Sequence, residues 1–322
     1  MKVLRLLGIG VAGLFLAGAG LYAWASYATS RKLSTSYATH TVDFPIPLPV
    51  SHEETGTDRR AAKSTDQRGS AEAIERGRHL VASRYACGEC HGSDFGGGIM
   101  VDNLAIGRIL GPNLTAGEGS VTVGYRAADW DRIVRHGIKR NGTAALMPSQ
   151  DFQQMTDQEL SDIVVFLRSQ LAVDRQVSPS KLGPVGKVLI AVGKLPLSAD
   201  LIGSHDRPHA ASPPKVGATV EFGRHIAGTC IGCHRNDLGG GPIVGGDPAW
   251  PPAANLTPGP EGLGEWTFTH FARAMREAKR PDGTTLRRPM TNVSSYARTM
   301  TETELQALWS YLRSVPAVAN RE

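Results

Sequence analysis

The chain has 322 residues, a formal net charge of +5, 41 % hydrophobic residues and 20 % charged residues. At ~100–200 residues per domain that allows two or three small domains, and the composition fits a globular body and excludes a polytopic membrane protein. The positive balance is too mild and scattered for nucleic acid, and no nucleic-acid motif accompanies it.

Lys2 and Arg5 precede an uncharged run, residues 6–28, whose core LLGIGVAGLFLAGAGLYAWA matches the ~20 residues that span a bilayer. Tyr22, Trp24 and Tyr27 cluster at its far end, where an interfacial aromatic belt belongs, and Arg31 and Lys32 close it. Residues 1–32 therefore read as a transmembrane anchor. A cleaved signal peptide is the alternative, with Ala23-Trp24-Ala25 as a small-x-small site, but the apolar run exceeds the usual ~7–15 residues. Either reading exports the rest of the chain.

Residues 33–68 read as an extended tether. Pro45, Pro47 and Pro49 favour polyproline II, and the polar run SHEETGTDRRAAKSTDQRGS cannot bury a core; the alternative is ordinary surface coil packed on the globular body.

Two copies of one unit follow, at 69–171 and 217–322. Cys87-Gly88-Glu89-Cys90-His91 returns as Cys230-Ile231-Gly232-Cys233-His234, and CGECHGSDFGGG aligns without gaps to CIGCHRNDLGGG. Asn113-Leu114-Thr115 returns as Asn255-Leu256-Thr257, and the segments starting at Tyr125 and Trp266 align without gaps. The same order of features in both copies marks an internal duplication. Each unit reads as mostly helical: one helix ends near the cysteine motif, and a second follows Tyr125 or Trp266. A third opens on a capping box, Thr156 with Glu159 or Thr301 with Glu304. The long Gly/Pro/Asn loops between them suit a chain that wraps a ligand. The low aromatic content, 6 %, and the 37 glycines agree with an interior filled partly by something other than side chains.

C-x-x-C-H is the attachment motif of c-type haem: two thiols for the vinyl groups and an adjacent imidazole for the iron. Zinc pairs lie ~12–20 residues apart, whereas Cys90 and Cys230 are far more distant in the chain. A thioredoxin-type dithiol has no use for His91 and His234, and structural disulfides would waste both. The motifs therefore predict two covalently bound haem c groups, on Cys87 and Cys90 and on Cys230 and Cys233, with His91 and His234 on iron. Met147 and Met290 sit at equal distances from their own motifs, each beside a proline, and are the candidate second axial ligands. Met155 and Met300 recur too, but each precedes a Thr N-cap, the hydrophobic-staple position.

Other histidines carry no such pattern. His79 and His225 recur in Gly-Arg-His at different distances from the motifs and are expected to face solvent or pack on their helix. His136 has Glu277 opposite it in the alignment, and His40, His52, His205 and His209 fall in linkers and read as inert. The inter-unit linker, 172–216, is proline-rich, with an interrupted apolar stretch expected to pack across both units. Arg273, Arg276 and Arg280 share a helix face near Lys279, Arg287 and Arg288; they read as a solvated face or as partners for haem propionates, the alternative being a docking rim for an acidic redox partner.

This combination resembles the bacterial multi-haem c-type cytochromes built from tandem class-I-like domains, among them the cytochrome subunits of membrane-bound sugar and alcohol dehydrogenases. The shared pattern runs from the Arg-His segment through C-x-x-C-H, the glycine triplet, Asn-Leu-Thr, Met-Pro or Pro-Met and Thr-x-x-Glu-Leu. Those subunits usually carry three haems, and this chain has two motifs. The resemblance implies a mainly α fold: an N-terminal transmembrane helix, then two tandem cytochrome c domains. It implies an electron-transfer protein rather than an enzyme, on the periplasmic side of the cytoplasmic membrane, in a respiratory or photosynthetic chain. Its partners would be a dehydrogenase, a quinol oxidoreductase or a terminal oxidase. The alternative is a dihaem redox enzyme, peroxidase-like or thiosulfate-oxidising, which would need an open sixth position or a different sixth ligand.

Overall fold

The structure is a computed structural model and describes residues 2–49 and 59–321. Helix α1 (Lys2–Ser34) is continuous, and its stretch Arg5–Ser34, with mean hydropathy 1.9, is long and apolar enough to cross a membrane. Leu14, Phe15 and Leu16 along it are exposed, whereas Ala25 and Thr29 near its end are buried against the body.

The chain after α1 is laid along the first unit rather than hanging free. Tyr37 N donates to Gly142 O at 2.9 Å, Leu48 N to Ser161 Oγ at 2.7 Å, and Phe44 and Ile46 lean on the first unit's core. The expected extended tether is also shorter than 33–68, because helix α2 begins at Arg59 and runs to Ser83. Its early residues are good helix formers that extend the amphipathic segment ahead of the first motif. His52 lies outside the described residues.

The first unit continues through α3 (Cys87–His91), strands β1 (Gly98–Asn103) and β2 (Gly107–Gly111), α4 (Ala127–His136), a 3-10 turn at Ser149–Phe152 and α5 (Asp157–Arg168). The linker adds β3 (Lys181–Leu182), α6 (Pro184–Ala191) and α7 (Ser198–Leu201). The second unit holds α8 (Val220–Ala227), α9 (Ile231–His234), α10 (Phe268–Glu277), α11 (Met290–Ala297) and α12 (Glu302–Ser314).

Each unit is built on its first and last helices, α2 on α5 and α8 on α12. The closeness of these pairs explains the glycine of each Gly-Arg-His. A Cβ on Gly77 would lie 2.1 Å from Asp162 O, and one on Gly223 1.9 Å from Ala307 O, so only glycine lets the backbones meet. Leu80, Leu160 and Val164 are buried in one core, and Phe222, Leu305 and Leu308 in the other. The capping boxes form as expected: Thr156 and Glu159 satisfy each other's backbone N–H at α5, and Thr301 and Glu304 do so at α12.

Asn-Leu-Thr is a latch. Asn113 Oδ1 accepts from the backbone and hydroxyl of Thr115, while its Nδ2 donates to Val173 O at 2.7 Å. Asn255, Thr257 and Val318 O repeat this, again with a 2.7 Å bond. The chain leaving each last helix is thus tied back over the loop behind the cysteine motif.

The antiparallel sheet β1-β2-β3, in which the linker supplies the edge strand β3, was not foreshadowed. Its strands are short, glycine-bounded and broken by an irregularity between Ile99 and Val101, which obscures the period-two signal. The linker belongs mainly to the first unit and to α1, not equally to both units. Helix α6 packs on the end of α1, with Thr29 Oγ1 donating to Lys187 O at 2.7 Å and Lys32 Nζ to Ile190 O at 3.0 Å.

Candidate functional site

Each C-x-x-C-H forms a short helix that brings its cysteines and histidine onto one turn. The imidazoles are buried and held alike: His91 Nδ1 lies 2.9 Å from Pro112 O, and His234 Nδ1 lies 2.7 Å from Ala254 O. A carbonyl accepts only from N–H, so both rings carry the proton on Nδ1 and keep the Nε2 lone pair for a ligand. Burial lowers the pKa of both, partly offset by those carbonyls, which keeps the rings neutral. Burial also pushes the Cys87 thiol up to about 12 and the Cys230 and Cys233 thiols to about 11. No disulfide joins any of the four cysteines.

In the second unit Cys230, Cys233, His234 and Met290 all line one cavity of about 260 Å³. Met290 opens α11, and Ser294 Oγ lies 3.0 Å from its carbonyl. Arg280, Arg287 and Arg288 edge the same cavity. Arg276 is committed elsewhere, to Glu302 at 2.8 Å, and Arg273 caps the carbonyls of Arg280 and Pro281.

In the first unit Met147 holds the corresponding place between α4 and α5, half-buried, but on a loop before a 3-10 turn rather than at a helix start. The linker braces this loop. The Ser198 hydroxyl lies against Met147 O and Gln150 Oε1, and accepts from Ser149 N at 3.1 Å. Trp130, which aligns with the cavity-lining Phe271, is 4 % exposed, and its Nε1–H meets no acceptor among the described residues. A buried donor left without a partner suits a pocket completed by a bound group. Met155 and Met300 are buried in the two cores, and Met300 also lines the second cavity together with Met290.

The two units share a wall. Ser83 and Arg84, from the first unit, line the cavity of the second. Arg84, 7 % exposed, donates to Glu159 at 3.0 Å and to Glu304 at 2.6 Å, and its guanidinium stacks 5.2 Å from the centre of the Phe222 ring. His79 reaches Glu304 across the interface at 2.9 Å, and His225 reaches Glu159 at 2.8 Å. The two histidines, expected to face solvent or to pack on their own helix, instead bind the capping-box carboxylates of the opposite unit. Their Gly-Arg-His repeat was the sequence signal, but nothing local to either unit names the partner. From the first unit, Asp151 also reaches the second motif: a Cβ on Gly232 would lie 1.8 Å from its Oδ1. Burial raises Asp151 to about 6.

Against known families, residues 72–167 match the family described as cytochrome c oxidase, cbb3-type, subunit III, and residues 220–316 match cytochrome c. The chain is 23 % identical to the fructose dehydrogenase cytochrome subunit of Gluconobacter japonicus, over 82 % of this chain and 57 % of that protein. It is 36 % identical to the cytochrome c subunit of a quinone alcohol dehydrogenase from Gluconacetobacter polyoxogenes, over 32 % of this chain and 23 % of the relative. It is 30 % identical to the corresponding cytochrome c subunit from Gluconobacter oxydans, over 44 % of this chain and 28 % of the relative. The chain thus spans little more than half of the first of these relatives and less of the others.

Proposed function

Because the chain carries two cytochrome c domains in tandem, we propose that it is a membrane-tethered dihaem cytochrome c. It would relay single electrons on the periplasmic side of the cytoplasmic membrane, as the electron-transfer subunit of a dehydrogenase complex. In this reading Cys87 and Cys90 hold one haem c by thioethers, with His91 and Met147 on its iron. Cys230, Cys233, His234 and Met290 do the same for the second. Haem c, when bound, supplies one-electron iron chemistry at a potential that His/Met ligation keeps high.

What the polypeptide contributes follows from its own groups. The carbonyls of Pro112 and Ala254 fix the tautomer and aim of the two histidines. Trp130 Nε1 offers a donor in the first unit, and Arg280, Arg287 and Arg288 offer positive charge to propionates in the second. The observation that carries the relay is the common wall: Ser83 and Arg84 close the second cavity from the first unit, so the two sites are neighbours. Anchoring by α1 is supported by its length and hydropathy, and a dehydrogenase donor by the cytochrome-subunit relatives.

Pull-down of the full chain from detergent-solubilised native membranes tests this reading. A dehydrogenase subunit should co-purify, and its substrate should reduce the cytochrome in the isolated complex. A cytochrome that remains in the soluble fraction, or that no co-purifying dehydrogenase reduces, would overturn it.

A further inference from the structure

Four histidines that neither haem site uses meet where the segment after α1, the end of α4 and the linker come together. His40 comes from the segment after α1, His136 from the end of α4, and His205 and His209 from the linker. With Asp131, three of them form a compact set: His40, Asp131, His136 and His209 each bring one ligand atom within 4.8 Å of all the others.

The hydrogen bonds around the set decide where the protons are. His209 Nδ1 lies 3.1 Å from Gln153 O, and His40 Nδ1 lies 3.3 Å from His205 O. Carbonyls accept only from N–H, so both rings present a bare Nε2. His205 Nε2 lies 3.1 Å from Ala199 O, so its Nδ1 is an acceptor, and it takes the proton of His136 Nδ1 at 2.9 Å. His136 Nε2 is then bare as well. It faces the bare His209 Nε2 at 3.2 Å, with Asp131 Oδ2 3.5 Å away. That carboxylate oxygen is buried and has no hydrogen-bond partner among the described residues, while Arg135 takes Oδ1 at 2.8 Å. Lone pairs at this separation repel unless a cation lies between them.

We propose that His40, His136, His209 and Asp131 form a binding site for one divalent d-block metal ion, zinc being the best fit. Three imidazoles and one carboxylate are a tetrahedral donor set, and Zn–N bonds of ~2.0–2.1 Å put ligand nitrogens about 3.3 Å apart. The 3.2 and 3.5 Å separations match that edge. The outer hydrogen bonds to Gln153, His205 and Ala199 are the second layer that orients ligating imidazoles. The nearby Arg135 charge is offset by Asp131 and Asp157. The ion would clasp three separate segments, tying the chain after α1 and the inter-unit linker to α4. The site is independent of the haem reading.

The test is metal analysis of the untagged full chain in detergent, with zinc titrated calorimetrically into chelator-treated protein. Near one equivalent of bound zinc is expected beyond the haem iron. His40→Ala and His209→Ala should each weaken zinc binding by at least ~10–100-fold, while the haem spectrum stays unchanged and reports the fold. Stoichiometric binding that survives both substitutions, or no zinc binding by the wild-type chain, would overturn the proposal.

Discussion

His225 of the second unit holds Glu159 of the first at 2.8 Å, and the same carboxylate caps the N-terminus of α5. The arrangement is reciprocal, since His79 of the first unit holds Glu304, the cap of α12, at 2.9 Å. Each capping glutamate therefore has two duties, ending a helix of its own unit and receiving a histidine of the other. Arg84 lies between them and ion-pairs with both, so among the described residues the interface is one charge network with this arginine at its centre.

Removing that arginine leaves two buried carboxylates with only their histidine partners across the interface. Arg84→Met should cost about 3–5 kcal/mol in denaturant unfolding, the usual penalty for breaking a buried ion pair from one side. Arg78→Ala, which loses an exposed pair with Glu75 and a contact of the guanidinium 5.6 Å from the centre of the Phe166 ring, should cost less, about 1–2 kcal/mol at most.

The same network sets an acid limit. Burial alone would raise Glu304, but the hydrogen bond from His79 and the charge of Arg84 outweigh it and hold the carboxyl at about 2, against an ordinary 4.5. A depressed folded value stabilises above the unfolded pKa and is lost as pH falls through the folded one. Thermal stability should therefore drop as pH goes from about 4.5 toward 2. Glu304→Gln should be less stable at pH 7 and should flatten the profile in that window, as followed by circular dichroism.

Helix contact within a unit is equally strict. Gly223→Ala places a methyl against Ala307 O and should destabilise by about 1–3 kcal/mol as overpacking. Gly69→Ala, where a Cβ meets nothing within 4 Å, is the matched control and should be neutral or mildly stabilising.

The axial-ligand assignment predicts distinct spectra. Met147→His or Met290→His should keep that haem low-spin and lower its potential, because imidazole lacks the thioether's preference for ferrous iron. Met147→Ala or Met290→Ala should open the iron to carbon monoxide. Met155→Leu and Met300→Leu should do neither, because both lie in the cores at a volume leucine matches. A spin-state change in the Met155 or Met300 variant would move the ligand to the next loop.

What the sequence made legible was whatever repeats. The duplicated C-x-x-C-H, Asn-Leu-Thr and Thr-x-x-Glu segments gave the helices, the caps and the order of the site, because each acts within one unit at a fixed spacing. What it hid was unrepeated or acted across units. Arg84 aligns with Ala227, so nothing in the repeat marks it as the shared counter-charge. His40, His136 and His209 come from three separate segments, and no spacing rule joins them before the chain folds. The bracing of the Met147 loop by Ser198 was hidden for the same reason, as the second unit replaces that linker contact with helix α11.

Counting covalent haem tests the central claim most directly. Pyridine haemochrome assay of the denatured, extracted wild-type chain should give two haem c per polypeptide. The double variant Cys87→Ala with Cys90→Ala should give one, retained by Cys230 and Cys233. Fewer than two haems on wild-type protein matured with its haem-attachment machinery, or two still present on the double variant, would contradict the account.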